Sequence, residues 1–291
     1  MSKFSGTKIN PKKFHKSQIK FFAVLIPMAI FVGLPIVFII SHAFKPTNEL
    51  YAWPPRFFVK RPTFDNFKNL VDLAAESGIP FSRYLFNSIL VTVVGVFLSI
   101  LITSLAAYGL SKLKFKGKKL LFEINTLALM FVPIAVTIPR YLTMTNIGII
   151  DTYFALILPL IAIPVGLFLV KQFIDQTPNE IIESAKIDGA SEMQIFLKII
   201  MPIIAPAVAT VGILSFQLIW NDVIGSSLYV DSESLKTLPF YFSTLASLVG
   251  NPVAGQGMLA AASFIMFVPN IVLFIFLQSR VMNTMAHSGI K

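Results

Sequence analysis

The sequence contains no cysteine and few charged residues. Asp, Glu, Lys and Arg together make up 13% of its 291 residues, whereas a soluble domain averages about 25%. Without cysteine the chain has no disulfides, no thiol chemistry and no thiolate metal site. The three histidines, His15, His42 and His287, are too scattered for a metal-ligand pattern.

The motifs of nucleotide-binding and catalytic sites are also missing. The Gly117-Lys118 pair lacks the earlier glycine that a phosphate-cradling loop requires, and Gly255-Gln256-Gly257 is too short for a dinucleotide fingerprint. The sequence shows no Ser/His/Asp grouping and no paired carboxylates within one apolar segment. We therefore expect no enzymatic activity, and no cofactor or metal bound by this chain.

Apolar residues dominate what is present. The chain is 55% hydrophobic, has 28 phenylalanines and a mean hydropathy of +0.77. A helix needs about 20 apolar residues to cross a bilayer. The pattern predicts an all-α polytopic membrane protein: a basic tail over residues 1–18, then a membrane domain over 19–291 with six transmembrane helices at 19–44, 84–110, 120–142, 152–170, 199–222 and 258–282.

Lysine clusters predict the orientation of these segments. The net charge is +10, and the basic residues lie beside apolar runs, in the N-terminal tail and in the connection "SKLKFKGKK". The positive-inside rule places both in the cytoplasm and favours membrane topology over nucleic-acid binding. With six spans, both termini and the connection 171–198 are then cytoplasmic. The first segment is too long for a signal-peptide core, so we expect it to be uncleaved.

The predicted spans carry almost no charge in their interiors. Glu123, Arg140 and Asp222 all lie near span ends. Ion-coupled transporters usually place ionisable residues inside their spans. The pattern therefore favours a pore-forming subunit driven by another component. A channel, a transporter subunit and an assembly factor all remain open at this point.

The stretch "TPNEIIESAKIDGASEMQIFLKIIMPIIAP" interrupts the apolar sequence. Thr177, Pro178 and Glu180 form the pattern of a capping box, and the helix that they begin is predicted to end at Asp188-Gly189. A second capping box, Ser191 with Gln194, predicts another helix that continues into the fifth span. We call residues 177–202 the coupling segment.

The first of these helices has an apolar patch but more acids than bases. The patch comprises Ile181, Ile182, Ala185 and Ile187. A helix lying on the inner leaflet usually carries Lys and Arg, because that leaflet is anionic. The charge balance therefore favours a protein partner over the membrane surface.

The coupling segment is similar to the EAA loop of ATP-binding-cassette (ABC) import permeases. The matching positions are Glu183, Ala185, Asp188, Gly189, Ala190 and Pro202; Ser184 and Met201 depart from the pattern. From about residue 60 to the end, "PTFDNFKNL", "YLFNSILVT", "WNDVIGSSLYVDSESLKTLP" and "SGIK" resemble the smaller, six-span sugar permease of the maltose-permease type.

The resemblance implies a type I ABC importer (MetI-like) permease fold in a bacterial cell membrane. It implies four kinds of partner: a second homologous permease subunit, two copies of a cytoplasmic ABC ATPase that holds ATP and Mg, an external solute-binding protein, and the lipid bilayer. The permease would carry a sugar, an oligosaccharide, by alternating access. The ATPase-coupling residues would be Glu180, Ile182, Glu183, Ala185, Asp188, Gly189 and Ala190, with Glu183 as the charged anchor and Ile182 and Ala185 as the buried contact.

Two further sets of residues are candidates for contacts outside the coupling segment. Gln217, Trp220, Asn221 and Asp222 offer an aromatic face and polar groups to a sugar at the end of the fifth span, although an interfacial anchor explains them equally well. The loop around Gly250, Asn251, Gly255 and Gln256 resembles a family segment that contacts the binding protein. A permease for another solute, such as glycerol phosphate or an amino acid, and a channel or scaffold without an ATPase remain alternatives.

Overall fold

The structure is a computed structural model that describes residues 18–76, 78–248 and 252–288. Throughout these ranges all regular secondary structure is helical, which confirms the predicted all-α class. The described residues form two compact units. Unit 1 comprises residues 18–70 and 252–264, and unit 2 comprises residues 71–248 and 265–288.

Unit 1 contains the first long apolar helix and the segment that follows it. Its elements are α1 (Ile19–Ala43), α2 (Thr47–Leu50) and the first parts of α3 (Asp65–Glu76) and α15 (Pro252–Ser288). The apolar side chains of α1 are almost all exposed, for example Phe31 at 76%. In a membrane protein such a surface is suited to lipid.

Asn66 closes the C-terminal end of α1. Its buried side-chain amide donates to the carbonyls of Ala43 (3.0 Å) and Lys45 (2.7 Å), which a helix end otherwise leaves unpaired. The Glu49 carboxylate accepts backbone N–H groups from Lys60 and Arg61 at 3.0 and 2.9 Å. These bonds, the one from Lys60 first, lower the pKa of Glu49 and tie the irregular segment after α2 back to that helix.

We expect Gly257→Ala to destabilise unit 1, because a Cβ at Gly257 would lie 2.7 Å from Cγ of Asn66. Displacing the Asn66 amide from its carbonyl partners should cost about 1–3 kcal/mol and lower the thermal unfolding midpoint in detergent. Gly33→Ala in α1 is the matched control: nothing lies within 4 Å of its Cβ position, and alanine is the better helix former. Equal midpoints for the two variants would contradict the packing argument.

Unit 2 is built around one long helix, α4 (Phe81–Lys112), which packs against α7, α8 and α12. It also contains short turns at Pro133–Val136, Phe196–Ile200 and Glu233–Leu235. The other helices are α5 (Lys118–Ala128), α6 (Thr137–Asn146), α7 (Tyr153–Ile161), α8 (Pro164–Asp175), α9 (Asn179–Ile187), α10 (Glu192–Ile195), α11 (Met201–Ile203), α12 (Ala205–Trp220), α13 (Ile224–Leu228) and α14 (Leu238–Leu248).

Three helical segments are long and apolar enough to cross a membrane as single helices: Ile19–Ala43, Phe81–Lys112 and Gly255–Gln278. Three further pairs of helices pass the same criterion only together, so the described residues contain up to six spans. The first pair is Lys118–Ala128 and Pro133–Asn146, with a bend of 113°. The second is Tyr153–Ile161 and Pro164–Asp175, with a bend of 45°, and the third is Glu192–Ile203 and Ala205–Trp220, with a bend of 81°.

Proline lies at each of these bends. Pro133, Pro164 and Pro206 each begin, or nearly begin, the helix that follows the break, and proline cannot donate the backbone N–H that would continue the preceding helix. A π-helical turn at Phe196–Ile200 further alters the path before the fifth segment. The prediction of one continuous helix from Ser191 into the fifth span is therefore wrong.

Candidate coupling site and solute path

The coupling segment presents an acidic helix at the surface. Glu180 and Glu183 on α9 and Asp188 at its end are all exposed. Two apolar side chains share this surface, Ile181 at 42% and Ile187 at 87% exposure. A group of exposed acids around an exposed isoleucine is suited to a partner surface with basic and apolar groups.

Ile182 and Ala185 lie on the other side of α9, within the chain's own core. Ile182 is 6% exposed, and its buried cluster includes Tyr108 of α4 and Phe196, with Ala185 packed against it. The resemblance implies that these two side chains contact the ATPase, but this chain itself buries Ile182 and half-buries Ala185. The isoleucines of α9 that remain exposed are Ile181 and Ile187.

The turn after α9 depends on Gly189. Its φ is +81°, in the left-handed region that glycine adopts without steric cost. Ala190 N–H donates to the Ala185 carbonyl (2.9 Å) and Gly189 N–H donates to the Lys186 carbonyl (3.0 Å). These are the two hydrogen bonds of a Schellman motif, so the structure confirms the predicted glycine stop.

Only one of the two predicted capping boxes forms. Ser191 accepts the Gln194 N–H through its Oγ at 3.3 Å, and Gln194 Oε1 accepts the Ser191 N–H at 2.8 Å. At the other site α9 begins at Asn179, and the buried Thr177 hydroxyl has no hydrogen-bond partner. The prediction that Thr177 caps α9 is therefore wrong, because Pro178 takes the N-cap position instead.

Two groups of α4 hold the coupling segment at both ends of α9. Lys112 Nζ donates to the Thr177 carbonyl (2.6 Å) and to Asn179 Oδ1 (2.9 Å). The Tyr108 hydroxyl donates to Glu192 Oε2 (2.6 Å). Glu192 Oε1 also pairs with Lys186 Nζ at 2.6 Å. The start of α9, its last turn and the start of α10 are thus all connected to the last two turns of α4.

The opposite end of α4 binds the segment 231–238. Asn87, fully buried, donates its amide to the carbonyls of Ser234 (2.9 Å) and Lys236 (2.8 Å) and accepts the Tyr153 hydroxyl (2.7 Å). Ser88 Oγ accepts the Leu238 N–H at 2.7 Å. Since both side chains sit in the first turns of α4, this segment is fastened to the helix at several points.

Asp151 holds the same segment from the turn between α6 and α7. Its carboxylate accepts the N–H groups of Asp231 (3.0 Å) and Ser232 (2.8 Å) and the Ser232 hydroxyl (2.6 Å). These bonds, the one from the Ser232 hydroxyl first, lower the pKa of Asp151. The carboxylate is therefore charged at neutral pH, which strengthens its hydrogen bonds.

The predicted solute-path residues do not form one surface. Trp220 is 4% exposed, stacks on Phe216 and donates Nε1–H to the Met266 carbonyl at 3.1 Å, so its aromatic face is not free for a sugar. Gln217 and Asn221 are exposed. The Asn221 amide donates to the Gln217 carbonyl at 2.8 Å, within their own helical segment.

Asp222 has a different environment from its three neighbours. It lines a partly enclosed cavity of about 130 Å³ together with Thr137, Arg140 and Tyr229. One Asp222 oxygen accepts the Gly225 N–H at 3.0 Å, and the buried Tyr229 hydroxyl has no hydrogen-bond partner. The cavity thus combines a carboxylate, a guanidinium and a hydroxyl, a set that can bind hydroxyl groups.

Part of the predicted binding-protein contact lies outside the described residues, namely Gly250 and Asn251. Gly255 and Gln256 were predicted to lie in a loop, but α15 begins at Pro252, so both are in its first turns. Gly255 is buried and Gln256 is exposed. Proline at the first helical position is favourable, which explains why this helix begins earlier than predicted.

The fold defines an all-α chain with up to six membrane spans among its described residues. In the described part of the chain no three His, Cys, Asp or Glu side chains are grouped so that they could hold a metal ion. The family of binding-protein-dependent transport system inner membrane components matches residues 99–279, more than half of the sequence. The chain belongs to this family.

Individual relatives agree with this assignment. The chain is 30% identical to the arabinooligosaccharides transport system permease protein AraQ of Halalkalibacterium halodurans, over 93% of this chain and 94% of that protein. A crystal structure of a bacterial ABC transporter that imports the acidic polysaccharide alginate contains a chain with the same fold, with a TM-score of 0.78 at 22% identity, covering 92% of this chain and 99% of that one. A second alginate transporter structure, in complex with its alginate pentasaccharide-bound periplasmic protein, matches with a TM-score of 0.59 at 18% identity, over 90% and 93%.

Sequence reasoning missed the side chains that hold the coupling segment in place. In the sequence Lys112 belongs to the basic connection "SKLKFKGKK" and indicates only topology, and Tyr108 is one aromatic residue within an apolar stretch. Their partners are 65 and 84 residues further along the chain, so local spacing carries no information about them. The one available signal for Tyr108 was a hydroxyl near the end of a span, which usually finds a hydrogen-bond partner.

Proposed function

We propose that this chain is a membrane-spanning subunit of an ATP-driven ABC importer that carries a sugar, an oligosaccharide, into a bacterial cell. The observation that carries the proposal is the surface of the coupling segment: exposed Glu180, Glu183 and Ile187 on a helix that is stopped by Gly189. Such a surface is suited to a protein partner, and the family membership indicates a transport complex.

The partner at this surface is a cytoplasmic ABC ATPase, present in two copies, one for this chain and one for a second homologous permease subunit. ATP and Mg are held by the ATPase and not by this chain. Glu183 and Glu180 supply charge to the contact, and Ile181 and Ile187 supply its apolar part. Closure of the ATPase pair moves α9, and the spans alternate between inward-facing and outward-facing arrangements.

The proposed orientation follows from the lysine distribution. Both termini and the coupling segment are in the cytoplasm, and segment 231–238 faces outward. The membrane is the bacterial plasma membrane, which is in keeping with the inner membrane component family. The external partner is a solute-binding protein, as in the alginate transporter structure that contains a periplasmic protein.

The proposed substrate class rests on the relatives and on the Asp222 cavity. The name of AraQ refers to arabinooligosaccharides, and the structural neighbour imports alginate. Sugars present many hydroxyl groups, and Asp222, Arg140 and Tyr229 line one cavity with both acceptors and donors for them. A cavity of about 130 Å³ has room for part of one sugar unit, not for a whole oligosaccharide.

The test is purification of the intact complex from its native cells through a tag on this chain. We expect an ABC ATPase in twice the molar amount of the tagged chain, a second permease subunit, and a solute-binding protein whose ligand is identified by mass spectrometry as a sugar. A different ligand, such as glycerol phosphate or an amino acid, would replace the sugar assignment. Absence of any ATPase would favour a channel or scaffold.

Deleting residues 250–256 tests the binding-protein contact, which includes Gly250, Asn251, Gly255 and Gln256. We expect the deleted chain still to copurify with its ATPase, while stimulation of ATP hydrolysis by the ligand-bound binding protein falls to the basal rate. ATPase assays in proteoliposomes, with and without the binding protein, measure this. If the binding protein still stimulates ATP hydrolysis fully in the complex with the deleted chain, these residues do not contact the binding protein.

A further inference from the structure

We propose that α4 is the element that transmits motion from the coupling segment to segment 231–238, which faces outward in the proposed orientation. The inference rests on the proposed function. It concerns two sets of contacts at opposite ends of one helix. We call them the inner attachment (Tyr108 and Lys112 with Thr177, Asn179 and Glu192) and the outer attachment (Asn87 and Ser88 with Ser234, Lys236 and Leu238).

A direct route from the coupling segment along the fifth span is weakened by its geometry. The helix after Ser191 ends at Ile203, and α12 continues at 81° to it. A force directed along Glu192–Ile203 therefore has only a small component along the axis of α12. The bend contains Pro202 and Pro206, which donate no backbone N–H, so the series of backbone hydrogen bonds across it is interrupted. The bonds that remain there are those from the N–H groups of Ile204 and Val208 to the Ile200 and Ile204 carbonyls, both 3.0 Å.

The inner attachment offers a stiffer connection. Charge-assisted hydrogen bonds hold both α9 and α10 to α4. Lys112 donates to the Thr177 carbonyl just before α9 (2.6 Å) and to Asn179 Oδ1 in its first turn (2.9 Å), and Tyr108 donates to Glu192 of α10 (2.6 Å). Bonds of this kind are shorter and stronger than neutral ones. Ile182 belongs to the same buried cluster as Tyr108, a cluster that also contains side chains of α8 and α12, so the polar bonds are the contacts that single out α4.

Between its two attachments α4 is one unbroken helix. It has 32 residues and no internal proline, and about 31 Å of helix separates Asn87 from Tyr108. At its far end Asn87 and Ser88 make three hydrogen bonds to the backbone of 234–238. A contiguous chain of hydrogen bonds and rigid helix therefore runs from α9 to segment 231–238, the kind of network that can carry coupling between distant sites.

The absence of cysteine from the sequence permits a direct test. Asp231→Cys places a single thiol in this chain. Asp231 is exposed, and its contact with Asp151 is made by its backbone N–H, which the substitution retains. In the complete transporter in proteoliposomes, we measure the rate at which a membrane-impermeant maleimide modifies the introduced thiol, with and without trapping of the ATPase by ATP and vanadate. Mass spectrometry of this chain quantifies the reaction.

The test variants are Tyr108→Phe, Lys112→Met and the double variant. Each keeps the apolar body of the side chain and removes only the bonding group, and Tyr141→Phe and Lys114→Met are the matched controls. We expect trapping to change the labelling rate in the parent and in both controls. The change should shrink by about tenfold in the double variant, the factor expected for losing bonds to charged or buried partners, and by less in each single variant.

Three measurements separate the outcomes. Copurification of the ATPase and the amount of trapped nucleotide report on the proposed function, and the labelling rate reports on transmission through α4. A double variant that binds the ATPase, traps nucleotide and still changes its labelling rate like the parent would overturn the role of α4. A parent complex without an ATPase would overturn both proposals. The role of α4 is supported if the double variant still traps nucleotide but trapping no longer changes the rate at which its thiol is labelled.

Discussion

Replacing Gly189 with valine is expected to reduce ATP-driven uptake by at least about tenfold, while the chain still inserts into the membrane. At φ +81° a β-branched residue is strained, and the cost of about 1–3 kcal/mol falls on the turn that positions α9. No atom beyond the adjacent residues lies within 4 Å of the Cβ position, so the effect is one of backbone conformation and not of crowding. Uptake and ATP hydrolysis are measured together in proteoliposomes.

Gly189→Asn is the matched control, because asparagine tolerates the left-handed region better than any β-branched residue. We expect it to retain most of the uptake. Glu183→Lys tests the charge at the same surface: its side chain is exposed, so the fold should persist while hydrolysis becomes uncoupled from uptake. Normal transport by both Gly189→Val and Glu183→Lys would refute the docking role of α9.

The local features of the coupling segment could be predicted from the sequence because they depend on neighbouring residues. A glycine after an amphipathic helix predicts a left-handed stop, and Ser191 with Gln194 predicts a capping box; the structure contains both. Thr177 fits the capping pattern equally well. Pro178, which the pattern places in the first helical position, instead has a non-helical backbone with ψ +139° and is itself the N-cap. The helix therefore begins one residue later than the pattern predicts.

The broken spans could not be predicted in the same way. Proline occurs within α1 at Pro27 and Pro35 without ending the helix, whereas helix breaks occur beside Pro133 and Pro206. The residue type is the same in both cases. Residue type alone therefore does not predict which proline ends a helix, since Pro27 and Pro35 lie exposed on an unbroken helix.

The orientation of α9 also required the structure. Ile181, Ile182, Ala185 and Ile187 form one apolar patch by composition, but Ile182 is 6% exposed and Ile187 is 87% exposed. The side that is buried is determined by Tyr108, Ile195 and Phe196, which come from α4 and from the helical region after the turn. Sequence periodicity indicates that α9 has an apolar side, but it cannot distinguish residues that pack inside the chain from those available to a partner.

Asp222→Asn is expected to raise the KM for uptake of the solute found on the binding protein by about tenfold or more, the size typical of losing a hydrogen bond to a charged group. Asparagine has nearly the same shape, and its amide oxygen can still accept the Gly225 N–H that Asp222 accepts at 3.0 Å. The local helix α13 should therefore remain in place, while the negative charge beside Arg140 in the cavity is lost.

The neighbouring residue provides the control. Asn221 is exposed and its amide contacts the Gln217 carbonyl, so Asn221→Ser should leave the KM unchanged. An unchanged KM for Asp222→Asn would assign Asp222 to the positioning of α13 alone. A raised KM with unchanged basal ATP hydrolysis is the result that a solute contact requires, because a defect confined to the coupling segment would alter hydrolysis and uptake together, whichever solute is bound.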